Sequence, residues 1–354
     1  MRTLGPAEQT LLNRLAIDPH LRQAELANEL GVTRSAVNQV WNRLEAEFQL
    51  RVRGNVDYGK LGLHYIFGWA QSTQEDENMD KFWSWLQAYP FTILAKESAM
   101  TSTMDKRVYY EILLPTGDSH HWFVNQLRRF QKEPYNLTLF TENVDYTSNH
   151  LNIGLFDGTN WDFNYDFRIE ASMDVAKDFA DVLPITAQTK QSTVSDLDWN
   201  HIPAARQVES HYYATSTSLA QKLEQLDLPV PSERTLRRRL AYVRDNIAEP
   251  YITLSNIGIE QEVVVCVREF PSRLSFSRLL QAQGRTFPRT RVVSGSQLDV
   301  IHIGIPKHVD WVSLSASITA LSSGAAEICT FITDCVESKN VLETILSKKG
   351  VGNS

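Results

Sequence analysis

The stretch QAELANELGVTRSAVNQVWNRL, residues 23–44, decides how the first part of the chain folds. It predicts two helices that cross at the small Ala27 and are separated by a tight turn at Gly31, where a left-handed backbone suits glycine. The hydroxyl group of Thr33 can cap the second helix. Apolar residues occupy the sides expected to be buried, namely Leu26, Leu30, Val32, Val37 and Trp41. Two helices joined in this way are typical of a helix-turn-helix.

The second helix of this pair carries a polar stripe on its open face, formed by Ser35, Asn38, Gln39 and Asn42. Side chains of this size can reach base edges in a DNA major groove. Residues 50–56, LRVRGNV, alternate and predict a short wing whose Arg51 and Arg53 face phosphates. The stripe favours DNA binding, and a helical hairpin that contacts only protein is the alternative.

Composition limits the class of protein. The chain has 354 residues, and it contains no apolar run near the ~20 residues that span a bilayer. The N-terminus lacks the apolar core of a signal peptide. Three widely spaced cysteines, Cys266, Cys329 and Cys335, suit a reducing compartment and have no zinc-site spacing. We therefore expect a cytoplasmic protein away from membranes, with neither a metal nor a cofactor.

The net charge of −7 argues against a nucleic-acid partner until its distribution is considered. Residues 61–197 hold 10 lysines and arginines against 19 aspartates and glutamates, a balance of −9. The rest of the chain therefore carries +2. Local charge at a phosphate contact matters more than the total, so the segments that could bind DNA are not excluded.

A second pattern follows the helix-turn-helix. Strands are predicted at 63–70, 91–96, 108–114 and 135–140, and helices at 79–88 and 119–131. This β-α-β-β-α-β order predicts two helices on one face of a four-stranded antiparallel sheet, a ferredoxin-like sandwich.

The same order recurs about 200 residues later. Helices are predicted at 218–226, 232–246, 272–283 and 309–323, and strands in EVVVCVRE and at 289–293, 300–305 and 327–332. The expected fold class is α+β, with two winged helix-turn-helix domains, each followed by a ferredoxin-like sandwich. The predicted boundaries are 1–60, 61–143, 144–197, 198–256, 257–335 and a C-terminal tail, 336–354.

The third of these segments, 144–197, is an acidic extension without an assigned function. A hairpin is expected around Asp157 and Gly158, and a helix at 172–183. Asp162, Asn164 and Asp166 have the spacing of a calcium loop, but Phe167 and Met173 replace the glycine and glutamate that such a loop needs. We therefore interpret this alternating stretch as a half-buried strand.

The first module resembles the Lrp/AsnC family of prokaryotic transcription regulators. The family signature is matched by Glu25-Leu26-Ala27, Gly31, Thr33, Val37, Val40 and Arg43, and by the strand entry Leu61-Gly62-Leu63. The resemblance implies a sequence-specific regulator that binds double-stranded DNA. It also implies a possible small-molecule effector, such as an amino acid, and either a homo-oligomer or an intrachain pseudo-dimer. Two modules in one chain resemble a fused dimer.

The second helix-turn-helix departs from the family pattern, because LDLPVPS replaces the turn glycine and the following helix is rich in arginine. It suits phosphates or guanine edges, whereas the first suits adenine. The predicted DNA contacts are Thr33, Arg34, Ser35, Asn38, Gln39, Asn42, Arg43, Arg51, Arg53, Arg234, Arg237, Arg238 and Arg244.

No catalytic residue is predicted, and the chain is expected not to be an enzyme. His120 and His121 are adjacent and would point to different sides of a helix, which is poor geometry for a shared metal. Phe82, Trp83 and Trp85 suit the core or a subunit interface.

Two alternatives from other classes remain. The same module also resembles haem-pathway decarboxylases that retain the helix-turn-helix as a scaffold, although the polar stripe speaks against a pure scaffold. An architectural protein that wraps DNA without strong sequence preference would bind all sequences equally, with a steep dependence on salt.

Overall fold

A computed structural model of the chain describes residues 3–72, 76–99, 106–162, 197–269, 287–306, 309, 314–315 and 327–351. Nine helices and eleven strands lie in these ranges. The helices are α1 Pro6–Ile17, α2 Gln23–Leu30, α3 Arg34–Phe48, α4 Asp76–Ala88, α5 Asp118–Phe130, α6 Ile202–Ser210, α7 Ser216–Gln225, α8 Glu233–Asn246 and α9 Val341–Val351. None of these helices is long and apolar enough to cross a membrane.

The strands are all antiparallel to their neighbours. They are β1 Arg51–Val56, β2 Leu63–Gln71, β3 Thr92–Glu97, β4 Arg107–Pro115, β5 Thr138–Asn143, β6 Tyr146–Leu151, β7 Ala248–Thr253, β8 Ile259–Arg268, β9 Arg289–Ser294, β10 Leu298–Pro306 and β11 Glu327–Asp334. The predicted class, a mixture of helices and antiparallel sheets, is therefore confirmed.

The α2–α3 pair forms as its sequence indicates. Gly31 ends α2 with a φ of 65°, and Oγ1 of Thr33 accepts a hydrogen bond from the backbone N–H of Ala36 at 3.2 Å. The α3 residues Val37, Trp41, Leu44 and Phe48 are buried. Val32 differs from the prediction, because it lies in the turn and is 48% exposed.

The first large sheet has the strand order β3-β4-β2-β5. Helices α4 and α5 pack on one face of it. Phe82 and Phe123 are fully buried there, and Trp83 and Trp85 lie partly buried against the same core. The first half of the chain therefore has the predicted order of a helix-turn-helix followed by a four-stranded antiparallel sheet with two helices on one face.

The second half repeats a set of three helices, α6 to α8, followed by β7. Its sheet has five strands in the order β11-β8-β10-β9-β6. The fifth strand, β6, comes from the segment that the sequence analysis assigned to an extension. The predicted turn at Asp157-Gly158 is present, and the residues on either side of it, Phe156 and Trp161, form an isolated antiparallel β-bridge. Several predicted elements lie outside the described residues. They are the helices at 172–183 and 272–283, most of the helix at 309–323, and the part of the predicted strand that follows Asp162.

The strand predicted as a wing at residues 50–56 is present as β1, but it does not stand free. β1 pairs along its whole length with β7 of the second half, in a register from Arg51↔Thr253 to Val56↔Ala248. Gly54 allows β1 to approach α6 closely, since a Cβ there would lie 2.7 Å from Cγ1 of Val208. The two halves are thus joined through a two-stranded sheet.

The two large sheets face each other. The backbone N–H of Ala99 donates to the carbonyl of Ile332 at 2.7 Å, and Arg107 donates to the carbonyl of Thr330 at 2.6 Å. At the opposite end, Glu142 accepts hydrogen bonds from backbone N–H groups of the β9–β10 turn. The space between the sheets is therefore a core shared by both halves.

Helices α6 and α9 have no counterpart in the sequence analysis, which placed only a tail after residue 335. Helix α9 packs on α6. Its Glu343 forms ion pairs with Arg206 at 3.0 Å and with Lys222 at 2.8 Å. The end of the chain thus stabilises the second set of helices.

Candidate active site

A cluster of polar side chains lies between the two sheets, where apolar packing is the rule. It is formed by Tyr65 on β2, Lys96 on β3, Tyr109 and Glu111 on β4, Glu262 on β8, Arg291 on β9 and His302 on β10. Both halves of the chain contribute to it. Buried charges are costly unless they are paired and hydrogen-bonded, so this cluster is the first candidate for a functional site.

The carboxylate of Glu111 is the best-satisfied group of the cluster. Tyr109 Oη donates to Oε1 at 2.7 Å, and Tyr65 Oη donates to Oε2. Arg291 donates to both carboxylate oxygens, with Nη2 2.6 Å from Oε2, and Nη2 also lies 2.8 Å from the Tyr65 hydroxyl. Glu111 is fully buried, but 23% of the Arg291 side chain is exposed. The cluster therefore reaches solvent on the Arg291 side.

His302 occupies the other end of the cluster. Its Nδ1 is 3.1 Å from Oε1 of Glu262 and 3.4 Å from Nζ of Lys96. Lys96 and Glu262 also form a buried ion pair. The ring of His302 meets that of Tyr109 edge to face, with centroids 4.7 Å apart. Among the described residues, nothing pairs with the buried Nε2 of His302.

The electrostatics of the cluster favour two ion pairs and one neutral ring. Burial, helped by the charge of Lys96, lowers the pKa of His302 to about 4. Burial alone would raise the pKa of Glu111, but the Arg291 guanidinium outweighs it and lowers that pKa to about 2. Lys96 lowers the pKa of Glu262 in the same way, against the effect of burial. At neutral pH the imidazole is the uncharged member.

A second polar group continues from the cluster towards the helices. The ring of Tyr58 lies edge to face with that of Tyr65, with centroids 5.1 Å apart, and its hydroxyl donates to Glu209 of α6. Burial raises the pKa of Glu209. Arg53 points into this group from β1, opposite Tyr251 in register. Polar contacts thus run from the sheets to α6.

The residues predicted to contact DNA from α3 and its surroundings are exposed. Thr33, Arg34, Ser35, Asn38, Gln39, Asn42, Arg43 and Arg51 are all exposed. Arg43 is held by Glu8 at 3.0 Å and Glu47 at 3.5 Å. That these eight residues bind DNA stays a prediction.

Two predicted contacts point elsewhere. The guanidinium Nε of Arg53 is buried, so this side chain does not face outward from a wing. Arg244 donates to the carbonyls of Tyr212, at 2.8 Å, and Ala214, which turns it into the molecule. Arg53 is turned inward because β1 pairs with β7 of the other half, whereas Arg244 binds carbonyls between α6 and α7 of its own half. Arg234, Arg237 and Arg238 remain exposed on α8.

The histidines of α5 are separate from the cluster. His120 is half-buried, and its ring lies 4.6 Å from that of His64, while His121 is exposed. Throughout the described ranges, no three His, Cys, Asp or Glu side chains come together in a way that could hold a metal ion.

The sequence contains a signal for the buried cluster. Glu111 interrupts RVYYEILLP, His302 interrupts LDVIHIGIP, and Glu262 precedes a run of valines. Ionisable residues in strands that are apolar on both sides either are paired or carry a function. The sequence therefore shows that ionisable side chains occur inside apolar strands. Only the packing of the two sheets against each other shows that these side chains contact one another.

Comparison with known proteins finds a solved structure that is similar over nearly the full length. No family model matches the chain, and no curated protein matches it. The crystal structure of the siroheme decarboxylase NirDL is similar over 98% of this chain and 99% of that protein, with 10% sequence identity and a TM-score of 0.50. The chain and that decarboxylase therefore share a fold.

Two further solved structures are similar to a lesser degree. NirDL in complex with an iron-uroporphyrin III analogue matches over 94% of this chain and 93% of its own, at 9% identity and a TM-score of 0.48. A regulatory protein of the AsnC family from Pyrococcus furiosus matches 39% of this chain and 88% of its own, at 15% identity and a TM-score of 0.26.

The full-length match corrects the prediction that the chain is not an enzyme. That prediction rested on the exposed stripe of α3, which says nothing about the space between the sheets. The protein that shares the fold over its whole length is an enzyme.

Proposed function

We propose that the chain is a decarboxylase that acts on a carboxylated tetrapyrrole of the siroheme type. The observation that carries the proposal is the Nε2 of His302, which has no partner among the described residues and lies at one end of a buried cluster of paired charges. The full-length likeness in fold to a siroheme decarboxylase supports it.

The proposed reaction replaces a carboxylate by a proton. For an acetate side chain, R–CH2–COO⁻ + H⁺ gives R–CH3 + CO2, so the C–C bond electrons pass to the carbon that receives the proton. A proton donor must therefore stand beside the reacting carbon. His302 is suited to this task, because Nε2 is free while Nδ1 is held by Glu262.

The substrate itself can turn His302 into an acid. The pKa of His302 is lowered to about 4 in the free protein. A polycarboxylate close to the ring favours the charged imidazolium and raises this pKa. The imidazole would then take up a proton as substrate binds and give it to the carbon as CO2 leaves.

The test is release of CO2 from siroheme by the purified protein, followed by mass spectrometry of the tetrapyrrole. We expect the wild type to remove carboxyl groups and His302→Ala to lose at least a hundredfold in kcat, the size of a general-acid contribution. His121→Ala is the matched control, since its ring is exposed on α5. Absence of CO2 release by the folded wild type would sink the proposal.

DNA binding is a second candidate function, favoured by the exposed polar face of α3. Its amide side chains and the Thr33 cap match what a helix in a major groove requires. The partner would be double-stranded DNA, and a small-molecule effector such as an amino acid would modulate it. Selection from a random duplex pool, compared with Asn38→Ala/Gln39→Ala, tests this: an enriched motif that the variant loses supports it, and equal retention of all sequences contradicts it.

We also infer that the two halves arose by duplication of one module. Each half has three helices followed by a strand, and the two strands pair with each other antiparallel. The second helix-turn-helix would then be a divergent copy of the first.

A further inference from the structure

The four donors around Glu111 form a complete site for a carboxylate. Two arginine N–H groups and two tyrosine hydroxyls converge on the oxygens of one side chain. Bidentate arginine pairing and charge-assisted O–H donation are the strongest ways in which a protein holds a carboxylate. The donors come from β2, β4 and β9, so they are positioned by both sheets.

The occupant of this site is a side chain of the protein. Three of the four hydrogen bonds that Glu111 accepts come from strands other than its own. The site also adjoins solvent, because Tyr65 is half-buried and 23% of the Arg291 side chain is exposed. A carboxylate arriving from outside would therefore meet Arg291 first.

We propose that Glu111 is a placeholder in the substrate's carboxylate site, and that a substrate carboxylate displaces it from Arg291, Tyr65 and Tyr109. This assignment rests on the proposed function for the identity of the ligand. Two carboxylates cannot share the same donors, since like charges at this distance repel strongly. Glu111 thus competes with substrate and keeps the arginine paired when the site is empty.

The position of the site agrees with the proposed chemistry. Tyr109 donates to Glu111 and also packs its ring against His302. A carboxylate held by the four donors would lie next to the residue that we assign as proton donor. The site would then fix one carboxylate of a polycarboxylic substrate while the neighbouring one reacts.

The first test needs no catalysis. Removing the placeholder with Glu111→Ala leaves the donors unfilled, so we expect acetate or formate to raise the Tm of this variant in a saturable way. The isosteric neutral acetamide serves as control, and Glu111→Ala/Arg291→Met should lose the response to acetate. Equal responses to acetate and acetamide, or none, would overturn the proposal.

The second test uses iron-uroporphyrin III as the probe and the conservative variant Glu111→Gln, which keeps the shape of the side chain. A neutral amide competes less strongly than the Glu111 carboxylate for Arg291 and the two tyrosines. This variant should therefore bind the probe about tenfold more tightly than the wild type. A residue that only supports the fold would weaken binding instead. Unchanged or weaker binding by a folded Glu111→Gln protein would contradict the placeholder role.

These outcomes separate the two proposals. If the wild type does not decarboxylate siroheme but Glu111→Ala binds acetate, the carboxylate site stands and the proposed function fails. If the wild type decarboxylates but neither variant behaves as expected, the function stands and Glu111 is an ordinary buried acid.

Discussion

Polar side chains meet opposite conditions on α3 and between the sheets. On α3, Asn38 and Gln39 are exposed and keep their water. Between the sheets, Lys96, Glu262 and His302 have lost theirs and depend on one another. An exposed stripe costs little free energy, whereas a buried cluster persists only if every member finds a partner or a role. The comparison shows that a visible pattern and a functional site need not coincide.

The largest expected effect comes from breaking the buried ion pair. Lys96→Met leaves the buried Glu262 charged and without its cationic partner, so we expect the free energy of unfolding to fall by about 3–5 kcal/mol. Asn38→Ala on α3 should change it by less than about 0.5 kcal/mol. Urea unfolding at neutral pH measures both.

The double variant Lys96→Met/Glu262→Leu is the control for this pair. It removes both charges, so most of the lost stability should return. If Lys96→Met is no more destabilising than Asn38→Ala, the two regions do not differ as the structure indicates.

The next largest effect is the pH dependence of stability due to His302. Its pKa is lowered from 6.5 to about 4 in the folded protein, so between these values the unfolded state binds more protons. The free energy of unfolding should therefore fall as pH drops from 6.5 to 4, by on the order of 3 kcal/mol. Glu111, with its pKa lowered from 4.5 to about 2, adds a further loss as pH falls through that lower range.

Unfolding curves across this pH range, compared with those of His302→Asn, test the first part. The variant should show a flatter dependence between pH 6.5 and 4, while the exposed His121→Ala should follow the wild type. Parallel curves for His302→Asn and wild type would mean that His302 does not titrate in this window.

A smaller effect is expected at the start of α3. Thr33→Ala removes the side-chain oxygen that caps the helix, at 3.2 Å from the N–H of Ala36, which should cost about 1 kcal/mol. Ser35→Ala, at the second residue of α3, should leave stability nearly unchanged, because the Ser35 side chain is exposed. Thermal unfolding of both variants measures the difference, and equal losses would show that Thr33 acts by some other contact.

The smallest effect on stability is expected for the polar stripe of α3, and this variant also tests whether α3 contributes to decarboxylation. Asn38→Ala/Gln39→Ala should unfold within about 0.5 kcal/mol of the wild type and decarboxylate siroheme at the same rate. A drop in decarboxylation in this variant would show that α3 and the buried cluster are coupled, and the contrast between the two regions would no longer hold.

Local patterns in the sequence were enough for most elements. Gly31, Thr33 and the apolar spacing of α3 act within one or two turns, so their outcome follows from neighbouring residues. The apolar runs of most strands in both sheets were visible for the same reason, whereas β6 was not predicted. Helix α6 was missed because its apolar residues are small, including Ala204 and Ala205, and its stability comes from packing on β1 and α9.

The amino-acid sequence by itself determined the α+β class, the turn and cap that begin α3, and the presence of ionisable residues inside apolar strands. The tertiary structure alone decided that β1 pairs with β7 and that the Arg53 side chain turns inward. It also decided that Glu111 meets Arg291, 180 residues away along the chain. Helices and turns are fixed by contacts between near neighbours, whereas a site shared by two sheets depends on how distant strands are brought face to face.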